Sequence, residues 1–326
     1  MLLNSGLQAN ILTVIYMELT KELKKRFCKD MNIPILLHIE PYFQSRIDLY
    51  EGFFNIKESY KEFQKICDEF ESVQKYFEYY NKIKDDAIKH LKSKEGLKRF
   101  TEDDSILKPF VNSGFSSHDI FKSNFDGKHF ISVDMEKANF TSLRYYDPSI
   151  VDNKSTYEEF IGQFTDFSYF KKSKYIRQVI FGNLNPRRQV AYEKRLMDGT
   201  LTDILKFTEA NDIVYFSNDE IVIDVTNKTK DRENYIKILD ELMNKKQLEG
   251  IRLRFDVFEL KRIIGIEGYI RKFSSKLKYD FKCVNSLLMP FVLRACRHED
   301  PIEMDHVFMF EGMLANLLET PNIQIV

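Results

Sequence analysis

The chain has almost no net charge: 49 lysines and arginines stand against 50 aspartates and glutamates, a formal charge of -1 over 326 residues. No overall positive field draws a polyanion to it, so a nucleic-acid partner would have to be held by a local basic surface. Cysteine is scarce. Cys28, Cys67, Cys283 and Cys296 lie far apart and form no C-x-x-C pair, which excludes a zinc ribbon and a small disulfide scaffold. Free thiols fit a reducing compartment, cytoplasmic or nuclear. Long apolar runs are also missing near the N-terminus, where Ile11 to Met17 is much shorter than a bilayer span and follows no basic segment. Neither a signal peptide nor a membrane anchor is expected. There is no internal repeat and no low-complexity segment.

Apolar surface is what the chain has in quantity. With 43% hydrophobic and 14% aromatic residues, it can build a sizeable core as one large domain or two ordinary ones. From about Leu7 to Arg99 the pattern is helical and strongly charged, with Ile56, Tyr60, Phe63, Ile66, Cys67 and Phe70 at three- and four-residue steps. Pro34 and Pro41 divide it into several helices. Tyr76, Phe77, Tyr79 and Tyr80 could stack on bases, but core packing on a helix explains them more simply.

Character changes after Ser113-Gly114, where small polar residues lead to the apolar-alternating run His129 to Asp134, read as a strand. Thr156 to Gly182 reads helical, and Asn185-Pro186 starts a further helix to about Phe207. Ile213 to Val225 reads as a hairpin with acids at its tip, followed by a helix from Arg232 to Gln247 and a strand from Arg252 to Leu260. A second hairpin is expected over Lys261 to Phe273 around Gly265 and Gly268. Two apolar helical stretches, Val284 to Cys296 and Val307 to Leu318, are expected to close the chain. Strand, helices, hairpin, helix, strand is an order that folds as a four-stranded sheet backed by helices. The expected class is α+β, with a helical N-terminal region (1–112), a central domain with an antiparallel sheet (113–275) and a helical C-terminal region (276–326).

Carboxylates carry the most chemistry here. Asp134 ends an otherwise apolar strand, and Asp219 with Glu220 caps an apolar hairpin. A buried sheet tolerates such charges poorly unless a cation or a donor offsets them. Magnesium or manganese ions about 3.5–4 Å apart would need such converging oxygens. The same residues also read as two turn acids and a strand-end acid. Between them lies the densest basic stretch, Lys171, Lys172, Lys174, Arg177, Arg187 and Arg188. Lys174 and Arg177 share a helix face that a triphosphate could follow, or simply form a solvated charged face. Lys261 and Arg262 make the second hairpin basic, suited to a nucleic-acid backbone or to plain surface. His298-Glu-Asp300 and Asp305-His306 carry no zinc-specific spacing and read as solvated or capping residues.

Val214-Tyr-Phe-Ser-Asn-Asp-Glu-Ile-Val-Ile223 resembles the third palm motif of family A DNA polymerases, with Asn218 in place of the motif's histidine, and also the aromatic-x-Asp-Asp hairpin of reverse transcriptases. Val133-Asp-Met-Glu-Lys-Ala-Asn-Phe140 resembles the first palm motif, with Asn139 at the sugar-discriminating position. Arg177-Gln-Val-Ile-Phe-Gly-Asn-Leu-Asn185 is similar to the fingers helix, with Arg177 in place of the lysine that contacts the triphosphate. The likeness spans roughly residues 129–225, and the interval from Asp134 to Asp219 is closer to a compact reverse-transcriptase palm.

The resemblance implies a ferredoxin-like palm and template-directed nucleotidyl transfer with two Mg2+ or Mn2+ ions. It places Asp134, Asp219 and Glu220 at the metals, and Lys174, Arg177 and Asn139 around the nucleoside triphosphate. Arg187, Arg188, Lys261 and Arg262 are the expected contacts to a DNA or RNA primer-template. Partner subunits of replication or transcription would fit, and no membrane is expected. The competing expectations are a non-catalytic nucleic-acid-binding or assembly subunit that keeps the palm shape, and a two-metal nuclease.

Overall fold

The computed structural model describes residues 19–115, 120–228, 232–274 and 279–325. The run Ile11 to Met17 and the expected helix start at Leu7 lie outside the described residues, as does part of the polar segment before Gly127. Helices fill the first hundred residues: α1 (Lys21–Met31), α2 (Tyr42–Phe54), α3 (Lys57–Asp68), α4 (Val73–Lys92) and α5 (Glu95–Glu102). Their ends follow local chemistry. Thr20 and Ser72 accept from the backbone N–H groups of Leu23 and Lys75, and Asn32 and Asn55 turn left-handed to stop α1 and α2.

The chain then runs β1 (His129–Met135), α6 (Ala138–Tyr146), α7 (Tyr157–Ile161), α8 (Ser168–Lys172), α9 (Lys174–Gly182) and α10 (Pro186–Ile204). It continues through β2 (Ile213–Phe216), β3 (Glu220–Asp224), α11 (Arg232–Leu248), β4 (Leu253–Ile264), β5 (Tyr269–Phe273) and β6 (Tyr279–Lys282). Asn185 caps α10 through the Arg188 N–H, with Pro186 in its first turn, as the sequence predicts.

Three expectations need correction. The strand expected at Arg252 to Leu260 runs on to Ile264 as β4, so the second hairpin's first arm is part of it, and β5, β6 and Gln324–Ile325 extend the expected four-stranded sheet. The single helical stretch from Thr156 to Gly182 is broken into α7, α8 and α9. Thr156 and Ser173 accept from the backbone of Glu159 and Ile176, starting new helices where a continuous one would have needed their own backbone bonds. The C-terminal region is not wholly helical. After α12 (Met289–Cys296) and the single turn α13 (Glu303–His306), Val307–Phe310 and Met313–Asn316 form the hairpin β7–β8, and β9 (Gln324–Ile325) joins β4. The expected helix over Val307 to Leu318 fails because Glu311 and Gly312 both take positive φ, 48° and 86°. A two-residue turn of that kind reverses a strand.

The main sheet is antiparallel in the order β2-β3-β1-β4-β5-β6, with β9 off the path on β4. One face carries Ile131, Val133, Ile221, Ile223 and Val257 against Met197, Leu201 and Ile204 of α10 and Leu239 and Met243 of α11. The other is apolar only toward one end, where Phe130, Val222, Phe258 and Leu260 cluster with Ile120. The largest core joins the N-terminal helices to Phe140, Phe160, Phe170, Ile176 and Phe181, and to Met289 and Leu293 of α12. Tyr76 and Tyr80 are buried in it, in the packing role expected of them. Among the described residues no cysteine is in a disulfide, and no helix is long and apolar enough to cross a membrane.

Candidate active site

Residues directly opposite each other in an antiparallel ladder point to the same face. In this sheet Asp134 of β1 stands opposite Glu220 of β3 on one side and Arg254 of β4 on the other. Those three side chains form a row at the polar end of the sheet face that the helices leave open. Asp219 precedes Glu220 in the turn between β2 and β3, and its carbonyl accepts the Met135 N–H at 2.8 Å. The turn is tied by Ser217, whose Oγ donates to Asp219 Oδ1 at 3.0 Å and accepts from the Glu220 N–H at 3.0 Å. The fold therefore brings Asp134, Asp219 and Glu220 together.

Both strand carboxylates already have cationic partners. Arg254 donates to Asp134 Oδ2 from Nη2 at 2.8 Å and from Nε at 3.0 Å. Arg271 of β5 donates to Glu220 Oε1 at 2.6 Å, and Ser132 Oγ donates to the same oxygen at 2.6 Å. The Arg271 guanidinium is buried between the rings of Phe258 and Phe121, 4.9 and 5.4 Å from their centroids. Burial pushes the Asp134 carboxyl up to about 6; Arg254 opposes that rise, while Glu220 and Asp219 add to it. Among the described residues, no group of three or more His, Cys, Asp or Glu side chains is arranged to hold a metal ion.

Beside the turn, α10 contributes a further acid. Glu193 is 3% exposed and accepts from Asn218 Nδ2 at 2.7 Å. Burial first, and then the Asp219 charge, pushes it up to about 7 against the pull of that hydrogen bond. The next residue, Lys194, donates to the Phe216 carbonyl at 2.9 Å, and burial pushes its ammonium down to about 8. Arg254, Ser132 and Glu193 carry no signal of this role in the sequence, and Arg271, which the sequence places in the basic second hairpin as a backbone contact, is instead buried on Glu220. Only the strand register and the helix docking reveal them.

The predicted nucleotide-binding residues are divided. Lys174 begins α9 and feels Asp134 and Asp280 as stabilising charges, although burial, Arg177 and Lys282 together lower its pKa. Arg177 is half-buried with its guanidinium 5.7 Å from the Tyr157 ring centroid, and its Nε has no partner. Asn139 lies half-buried in the first turn of α6, its carbonyl accepting from Ser142 Oγ at 3.2 Å.

The four predicted nucleic-acid contacts do not form one patch. Arg188 turns inward to the Asp103 carbonyl at 2.5 Å and Asp104 Oδ1 at 2.8 Å, stapling α10 to the segment after α5, while Arg187 is exposed. Lys261 pairs with Glu259 at 3.0 Å, and it and Arg262 lie at the opposite end of β4 from Arg254. Asp305, read as solvated or capping, does cap by accepting the Ile302 N–H at 3.0 Å. It is buried, not solvated, and bridges Arg46 at 2.7 Å and Arg294 at 3.0 Å. No family model matches the chain, and no curated protein or solved structure matches it either.

Proposed function

We propose that the chain is a template-directed nucleotidyltransferase, a DNA or RNA polymerase built on a ferredoxin-like palm. The observation that carries this reading is the register that sets Asp134 opposite Glu220 with Asp219 in the adjoining turn. The strand order β2-β3-β1-β4, with helices between β1 and β2 and between β3 and β4, supports the palm reading. A palm leaves one sheet face free for the reacting groups, and here the polar end of that face holds the acids.

The donor set fits a hard divalent cation at Asp134 and Asp219. Burial and two neighbouring acids raise the cost of the Asp134 charge, which Arg254 only partly offsets, so a divalent cation there would stabilise the ionised carboxylate further. Glu220 fits less well as a ligand because Arg271 and Ser132 occupy it; it tunes the site by fixing charge next to Asp134. When bound, such ions supply Lewis-acid stabilisation to the transferring phosphoryl group. Lys174, at the start of α9, would place its ammonium on the triphosphate, and Arg254 is released from Asp134 to a phosphate oxygen or stays as a counter-charge.

A second reading rests on the same arginines. With Arg254 on Asp134 and Arg271 on Glu220, the acids are neutralised within the protein, as a non-catalytic nucleic-acid-binding subunit would tolerate. Labelled primer-template, Mg2+ and each nucleotide pool separate the two. The polymerase reading expects extension, reduced by about three orders of magnitude in Asp134→Asn while circular dichroism and the unfolding midpoint show a folded variant. A mobility shift with no extension under any nucleotide or template would favour the binding subunit. Shortening of the label without added nucleotide would point to a nuclease.

A further inference from the structure

The turn that carries Asp219 is gripped from outside by two consecutive residues of α10. Asn218 donates from Nδ2 to Glu193 Oε2 at 2.7 Å. Lys194 Nζ donates to the Phe216 carbonyl at 2.9 Å and stands 3.0 Å from the centroid of the Phe216 ring. Inside the turn, the Ser217 N–H donates to the Glu220 carbonyl at 2.8 Å, and the Asp219 carbonyl takes the Met135 N–H at 2.8 Å. Each residue from Phe216 to Asp219 is therefore tied: Phe216 and Asn218 to α10, Ser217 to β3 and Asp219 to β1.

Packing alone does not ask for an acid at position 193. Glu193 is buried on α10 along with Leu196, Met197 and Leu201, where an apolar side chain would avoid the desolvation that a carboxyl group suffers. What the acid supplies, and leucine or methionine cannot, is a fixed acceptor for the Asn218 amide. Asparagine in a turn commonly bonds its own backbone. Here its Nδ2 is used across the interface, on the helix. The hydrogen bond thus joins a rigid 19-residue helix to the residue next to Asp219.

We propose that Glu193 is a positioning residue for the candidate metal site: through Asn218 it holds the β2–β3 turn so that the Asp219 carboxylate is kept beside Asp134 before a divalent cation arrives. The inference rests on the reading that Asp134 and Asp219 hold such an ion. Glu193 touches neither the ion nor a nucleotide, and it acts through the hydrogen bond and not through its charge. Lys194 is the second anchor of the same grip. A small hard cation demands near-ideal ligand geometry, so a carboxylate already in place binds it more tightly than one that must be ordered on binding. Groups that orient metal ligands in this way typically contribute about 10–100-fold in affinity.

Titration of the full chain with Mn2+, followed by electron paramagnetic resonance, tests the proposal, with circular dichroism establishing that each variant is folded. The parent is expected to bind Mn2+ and Asp134→Asn to lose it. Glu193→Leu should weaken binding by about tenfold or more, whereas Glu193→Gln, which keeps an acceptor for Asn218, should bind as the parent does. Asn218→Ala should match Glu193→Leu, and the double variant should be no weaker than either, because both remove one hydrogen bond. Hydrogen exchange at the Met135 amide, which reports the turn without any ion, should quicken in Glu193→Leu and not in Glu193→Gln. The proposal is overturned if Glu193→Leu keeps the parent's Mn2+ affinity and Met135 protection, or if the two single effects add. An equal loss in Glu193→Gln also overturns it, by assigning the effect to charge. A parent without Mn2+ binding that depends on Asp134 sinks the metal reading and this inference together, an outcome distinct from parental binding that the leucine variant leaves intact.

Discussion

At the scale of single residues, the most informative groups are charges that the fold has removed from water. Asp30 is fully buried and accepts from Tyr80 Oη at 2.7 Å, Ser173 Oγ at 2.9 Å and Tyr169 Oη at 3.1 Å, with Arg26 Nε at 3.5 Å. Because Ser173 also caps α9, this one carboxylate ties α1, α4 and α8 to the helix that carries Lys174. Asp30→Ala leaves three hydroxyls without their acceptor and Arg26 without its counter-charge. It is expected to cost about 3–5 kcal/mol, measurable as a lowered urea midpoint with an unchanged slope. His38 gives a pH dependence. Burial and the neighbouring lysines push it down to about 4, whereas in the unfolded chain it titrates near about 6.5. Its contribution is fully present above the unfolded value and is lost as the pH falls toward the folded one, because only the unfolded chain takes up the proton. Urea midpoints between neutral pH and pH 5 are expected to fall less steeply in His38→Phe than in the parent; parallel curves would refute the assignment.

At the scale of elements, what the sequence shows well is where local chemistry decides. The alternation from His129 to Asp134, the Asn185-Pro186 start of α10 and the acid-tipped hairpin all form where periodicity and caps place them. The run from Val307 to Leu318 does not, because a short apolar stretch suits helix and strand alike and the left-handed pair Glu311-Gly312 settles it. Gly265 shows a constraint with no local signature. Its φ is +93°, and a Cβ there would meet the Asn322 carbonyl oxygen at 1.8 Å, where the chain enters β9. Gly265→Ala is expected to unseat β9 from β4, at a cost above the roughly 1 kcal/mol of the conformational penalty alone. Hydrogen exchange should show faster exchange at Ile325 and around Ile263; protection equal to the parent's would contradict it.

At the scale of the molecule, the main core does not respect the order of the chain. Phe27, Phe63 and Tyr76 from the N-terminal helices share one cluster with Phe170 and Phe181 and with Leu293. A fragment of residues 1–112 would expose the apolar faces that α8, α9 and α12 cover. It is expected to lack a cooperative unfolding transition, in contrast to the sharp transition of the full chain. A cooperative melt of the fragment would show that the helical region folds alone. The same shared packing positions α9, which begins with Lys174, against the N-terminal helices, so substitutions deep in that core should displace Lys174 at a distance.

The sequence by itself determined the strand at His129 to Asp134, the start of α10, the acid-tipped hairpin with the helix and strand after it, and the polar interruption of an apolar sheet at Asp134, Asp219 and Glu220. These are encoded in neighbours a few residues apart, through periodicity, caps and turns. Only the tertiary structure decided that Arg254 and Arg271 sit on two of those acids, that Glu193 lies buried beside the third, and that Arg188 staples helices instead of facing solvent. Such partners come from strand register and helix docking across many tens of residues, where no local spacing records which charge will meet which.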